Sequence, residues 1–176
     1  MDAIPTRTNV MWYQADVASP PEGFYGQCME FCGTSHANMK FRVHAVEAGA
    51  FDAWVEGQKE PGPATEELSD LAAQGKDHFE NLEFTATYAD GTVSKQRCAY
   101  CHTVEGLGIS GARTGPSLTH VASRGMILSA LVENNAENLA GWLDNPQAMK
   151  PGVLMPNPTL SAEQTAALVE YLQSLK

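Results

Sequence analysis

The chain has 176 residues, with 43% hydrophobic and 18% charged residues and a net charge of -10, room for one domain or two small ones. Such acidity argues against nucleic acid as a partner. No apolar run reaches the roughly 18 residues of a membrane span, and no basic, apolar leader opens the sequence. The acidity is uneven: residues 1–57 carry -4, residues 58–84 carry -5 and residues 85–176 carry -1. All 4 cysteines fall in two tight clusters. They therefore read as ligands or attachment points rather than as a disulfide framework.

In chain order, "TNVMWYQAD" and "GFYGQC" read as strands bounded by turn residues such as "SPPEG". "MKFRVHAV" alternates, so Met39, Phe41, Val43 and Ala45 are expected on a buried face and Lys40, Arg42 and His44 on a polar one. "AGAFDAWVEG" reads as a short helix with Phe51, Trp54 and Val55 together. Residues 1–57 are few for an independent β-domain, so further strands are expected before Met1. A linker rich in Pro, Gly and Glu follows at 58–66.

The remainder, 67–176, reads as helical. "TEELSDLAAQGKDHFENL", "RGMILSALVEN", "NAENLAGWLDN" and "LSAEQTAALVEYLQSLK" are the expected helices. Ser161 and Gln164 sit where a capping box wants them. "TATYADGTVSK" carries an Asp-Gly turn between alternating runs and reads as a small hairpin. Gly- and Pro-rich loops between the helices can wrap a flat cofactor.

"CAYCH", residues 98–102, carries the C-x-x-C-H attachment pattern of a c-type haem. Cys98 and Cys101 would form thioethers and His102 would be the proximal ligand. A redox dithiol normally precedes a helix in a βαβ setting, and a zinc site needs a second ligand pair; the histidine after the second cysteine favours haem. A methionine sixth ligand raises the potential, as suits an electron carrier. Met155, in a loop held by Pro151, Pro156 and Pro158, is the expected ligand; Met149 and Met126 compete. Of the other histidines, His44 and His120 read as surface residues and His78 as part of the first haem-side helix.

"CMEFCGTSHANM", residues 28–39, places Cys28, Cys32, His36 and Met39 in one loop. Thiolate, imidazole and thioether together select a soft or borderline metal, and copper is the natural choice. A mononuclear blue site wants one Cys and two His, so two thiolates bridging two coppers is the reading. A local disulfide or a zinc site remains open from the residue types alone.

Residues 66–176 resemble class I cytochromes c through "AAQGKDHF", "CAYCH", "TGPSL", "KPGVLMP" and "LVEYLQSL". The resemblance implies that Gly75 and Phe79 meet Tyr171 where the first and last helices cross. It also implies that the Pro116 carbonyl orients His102, and that Trp142 and Arg124 contact the haem propionates. "GFYGQCMEFCGTSHANMKFRVHAV", with "MDAIPTRTNVMWYQAD" before and "FDAWV" after it, resembles the dinuclear copper A loop of cytochrome c oxidase subunit II. That resemblance implies a partial cupredoxin-like β-domain ahead of an all-α cytochrome c domain, an α+β multidomain chain. Cys28 and Cys32 would bridge both coppers, His36 would bind one and Met39 the other. Glu30 would add its backbone carbonyl and neighbour a magnesium site at subunit I. The family's other His ligand matches no position in this chain.

The implied function is electron transfer from one haem c to copper A and on to haem in subunit I, where oxygen is reduced. The chain would be a subunit of cytochrome c oxidase without a complete active site of its own. Subunits I and III and an external donor such as a cytochrome c are the implied partners. The implied place is the outer face of a bacterial membrane, reached through segments before Met1. Copper A loops with the same spacing occur in nitrogen-oxide reductases, and a free soluble electron carrier is the non-enzymatic alternative.

Overall fold

Antiparallel pairing of Phe24–Gln27 (β1) with Lys40–Val43 (β2) sets the first part, with Phe24 opposite Val43 and Gln27 opposite Lys40. This computed structural model describes Val10 and residues 19–61, 67–107 and 114–176. The expected strand over 8–16 lies outside those residues except for Val10, as do positions 62–66 of the expected linker. The alternation of β2 is present, but its faces are reversed from expectation. Met39, Phe41 and Val43 are exposed, whereas Lys40 and Arg42 are half-buried. The cause is that β1 and β2 form a two-stranded ribbon with no third strand among the described residues. Phe41 instead folds its ring onto Gly26, and the Arg42 guanidinium lies 5.0 Å from the centre of the Tyr25 ring. Ala48–Gly57 (α1) follows, with Phe51 and Trp54 stacked at 5.9 Å and both exposed.

Asp70–Asn81 (α2) opens the second part. It starts later than the sequence pattern does, because the Ser69 hydroxyl accepts from the Ala72 N–H at 3.2 Å and caps the helix there. The expected hairpin is present as Phe84–Thr87 (β3) against Val93–Gln96 (β4). Its turn is pinned by Asp90, whose carboxylate accepts from the Thr92 N–H at 2.9 Å. Cys98–Cys101 (α3) is a single turn of helix.

The run 124–134, expected as a helix, is instead a small hairpin of Met126–Ile127 (β5) and Val132–Glu133 (β6). Leu128, Ser129 and Ala130 all have positive φ, of 57°, 63° and 54°. The Leu131 N–H donates to the Ile127 carbonyl at 3.1 Å, closing one left-handed turn. Asn134 holds the base, donating from its amide to the carbonyls of Val121 at 2.6 Å and Arg124 at 2.9 Å. Helix propensity is a weak prior, and here tertiary contacts override it.

Ala136–Asp144 (α4), Pro146–Met149 (α5) and Ala162–Ser174 (α6) complete the chain. Ser161 and Gln164 close a reciprocal capping box at the start of α6. α2 crosses α6 at Gly75, where an added Cβ would run into the Ala167 carbonyl. Phe79 meets Tyr171 with ring centres 5.8 Å apart. Around that crossing Leu139, Leu143, Leu168, Leu172 and Leu175 are buried, each contributing about 1.5–3 kcal/mol. His120, expected at the surface, is only 8% exposed. The C-terminal turn packs on the 120–122 segment: His120 Nδ1 donates to the Lys176 carbonyl at 3.0 Å, and the Ala122 N–H to Leu175 at 2.7 Å.

Candidate metal and haem sites

The β1–β2 ribbon draws the two ends of loop 28–39 together. Its ladder runs one step past the strands, because the Cys28 N–H donates to the Met39 carbonyl at 2.9 Å. A short 3-10 turn at His36–Asn38 then swings the imidazole back over the loop. Cys28 Sγ lies 3.6 Å from Cys32 Sγ and 3.1 Å from the Glu30 carbonyl oxygen. Cys32 Sγ lies 3.5 Å from His36 Nδ1 and 3.8 Å from Met39 Sδ. The donor atoms of Cys28, Cys32 and His36 all fall within 4.8 Å of one another. Two sulfurs thus occupy the middle, with nitrogen, thioether and a carbonyl around them. That donor set fits a soft or borderline metal. The hydrogen bond with Cys28, then burial, raises the pKa of the Cys32 thiol.

On the haem side, Arg97 is extended and α3 begins at Cys98, so Cys98 and Cys101 lie one helical turn apart. Burial pushes the Cys98 thiol up to about 12. His102 Nδ1 lies 2.9 Å from the Pro116 carbonyl and donates to it. This bond fixes the tautomer and leaves the Nε2 lone pair available for donation to a metal. Burial lowers the pKa of His102, and the Pro116 bond opposes this in part. Gly115 lies against the same ring: a Cβ there would sit 2.5 Å from His102 Cε1. A ring held on two sides, beside two cysteines, fits covalent haem.

Met155 and Cys98 both pack, partly buried, against the same core. The Met155 loop is braced twice. From α5, Gln147 Nε2 donates to the Val153 carbonyl at 2.7 Å, and Gln147 Oε1 accepts from the Gly152 N–H at 3.0 Å. From β3, Thr87 forms a bridge with Asn157. Neither brace was expected from sequence, and the expected hairpin thereby gains a task. Of the competing methionines, Met126 lies in β5, and Met149 Sδ packs 3.3 Å from where a Gly141 Cβ would be. Trp142 sits half-buried in α4. Arg124 donates to the Ser117 carbonyl at 2.6 Å, and burial lowers its pKa. His44 is exposed, as expected.

Among the described residues no helix is long and apolar enough to cross a membrane. Residues 72–176 match the family model described as cytochrome c. Residues 1–46 match that of the cytochrome c oxidase subunit II periplasmic domain. The chain is 40% identical over its whole length to a cytochrome c oxidase subunit 2 of Alkalihalophilus pseudofirmus, covering 45% of that relative. It is 36% identical over 87% of its length to the Bacillus subtilis protein of the same name, covering 39% of it. It is 34% identical over its whole length to that of Bacillus sp. PS3, covering 47%. The chain therefore spans less than half the length of these curated relatives. The chain belongs to the cytochrome c family through residues 72–176, ahead of which residues 1–46 match the model of the cytochrome c oxidase subunit II periplasmic domain.

Proposed function

We propose that the chain is the electron-transfer part of subunit II of a haem-copper cytochrome c oxidase. Electrons would pass from a covalently bound haem c to a dinuclear copper A centre and on to subunit I, where oxygen is reduced. The observation that carries this reading is the convergence of Cys28, Cys32, His36, Met39 and the Glu30 carbonyl in a chain that also holds C-A-Y-C-H. The match of residues 1–46 to the subunit II family favours the oxygen enzyme over a nitrogen-oxide reductase.

When bound, the haem and the copper pair supply reversible one-electron chemistry. The chain's own residues attach, orient and shield. Cys98 and Cys101 would hold the haem covalently, and His102, aimed by Pro116, and Met155 would be the residues that ligate its iron. Trp142 and Arg124 would serve the propionates. Cys28, Cys32, His36, Met39 and the Glu30 carbonyl would hold the copper, and the Glu30 side chain would neighbour a magnesium ion. In this reading residues 1–57 are the C-terminal part of a cupredoxin-like domain, 58–66 a linker and 67–176 the haem domain. Subunits I and III and an external cytochrome c are its partners, on the outer face of a bacterial membrane.

The test is expression with a haem-maturation system, followed by mass spectrometry and an optical spectrum. The expected product carries one haem on Cys98 and Cys101, and copper uptake with a mixed-valence electron paramagnetic resonance signal is expected where the family's other His ligand is supplied. A product without covalent haem overturns the reading.

A further inference from the structure

The loops of the two candidate sites touch. Ser35 Oγ donates to the Pro151 carbonyl at 2.5 Å. The Lys40 N–H donates to the Ser129 carbonyl at 3.2 Å. Thr34 lies so close to Gly152 that a Cβ on this glycine would sit 2.6 Å from Thr34 Cβ, and Gly152 has φ of 84°. Thr34 and Ser35 lie between Cys32 and His36, and Lys40 follows Met39. Pro151 and Gly152 open the loop that carries Met155. The haem-side surface is stiff: Lys150 Nζ donates to Ser129 Oγ at 2.7 Å and to the Leu128 carbonyl at 3.2 Å. Gln147 holds the Gly152 N–H.

We propose that residues 34–40 dock on Ser129 and Pro151–Gly152, and that Gly152 is the positioning residue of this contact. It holds the copper-ligand loop against the methionine loop, so that the separation between the two centres is set by side-chain packing and not only by the linker. A linker makes the encounter frequent; two hydrogen bonds are few enough to keep it reversible. Only Gly at 152 leaves room for the Thr34 side chain, because any Cβ there meets Thr34 Cβ and Cγ2. The role in transfer rests on the proposed function: one electron leaves the iron and enters the copper pair, with no bond broken and no proton moved.

The test compares Gly152→Ala with the double variant Thr34→Gly/Gly152→Ala. Both carry the same backbone strain at 152, but only the single variant carries the clash. In the haem-loaded, copper-free chain, Gly152→Ala should speed amide exchange at Lys40 at least tenfold while α6 stays protected. The double variant should recover most of that protection. In the full chain loaded with both metals, Gly152→Ala should slow flash-initiated haem-to-copper transfer at least tenfold, with both centres' spectra unchanged. The double variant should restore the rate. Unchanged Lys40 exchange in Gly152→Ala, or no recovery in the double variant, overturns the docking. Lost protection with an unchanged transfer rate overturns its role in transfer. An unsubstituted chain that moves no electron between the centres sinks the proposed function instead, and the exchange measurement still decides the contact.

Discussion

Thr87 and Asn157 exchange both backbone hydrogen bonds, Thr87 N–H to Asn157 O at 3.0 Å and Asn157 N–H to Thr87 O at 2.8 Å. A hairpin inserted before the haem-binding motif thus clasps the chain two residues beyond Met155. Thr87→Pro removes one donor of the pair and should cost about 1–3 kcal/mol. In the haem-loaded chain it should also weaken the sulfur-to-iron charge-transfer band. Equilibrium unfolding and a near-infrared spectrum check the two effects; a full band in a destabilised variant would separate the clasp from the ligand.

Met155→Ala should abolish that band and lower the midpoint potential. The drop should be on the order of a hundred millivolts, a fraction of the roughly 0.8 V that axial ligands span. Met149→Ala should leave the band in place, since Met149 packs against Gly141. Potentiometric titration of the two variants side by side decides between them.

Gly75→Val sets a branched side chain against the Ala167 carbonyl and Tyr171 Cβ. Neither neighbour can swing aside, because one is backbone and the other is the root of a buried ring. The expected loss is about 3 kcal/mol or more, at the upper end of overpacking costs. Denaturant unfolding of the haem-loaded chain measures it, and a loss below 1 kcal/mol would contradict the close crossing.

Copper uptake should weaken as pH falls. A thiol must lose its proton to ligate, and the Cys28 hydrogen bond holds the Cys32 pKa above its ordinary value. The protonated form therefore persists to higher pH, and each proton released on binding costs roughly tenfold in apparent affinity per unit of pH lost. Copper titrations at pH 6 and pH 8 read the slope. Cys28→Ala should remove the hydrogen bond and the mixed-valence signal together.

What could be read from the sequence was local. The capping box of Ser161 and Gln164, the Asp-Gly turn and the donor-rich loop 28–39 are each complete within a few residues, and the structure forms each of them. The α2–α6 crossing was legible only through the resemblance to class I cytochromes c, which implied that Gly75 and Phe79 meet Tyr171. The exposed side of β2 was not. Alternation fixes which residues share a face but not what covers it. The hairpin at 126–133 was missed because its reversal uses Leu128, Ser129 and Ala130, none of them a turn former of that handedness. The brace from Gln147, the clasp from Thr87 and the contact of Ser35 with Pro151 join residues distant in sequence or unremarkable in type, so no spacing announces them.

The turn at Leu128–Ala130 also inverts a familiar rule of substitution. In most places glycine loosens a chain and alanine firms it. Here three consecutive L-residues trace the mirror image of an ordinary helical turn, where each Cβ crowds its own carbonyl at about 1–2 kcal/mol. An achiral residue at Ala130 relieves that crowding and should raise the melting temperature, so a stretch that looks helix-friendly on paper is one the chain bends against its own handedness.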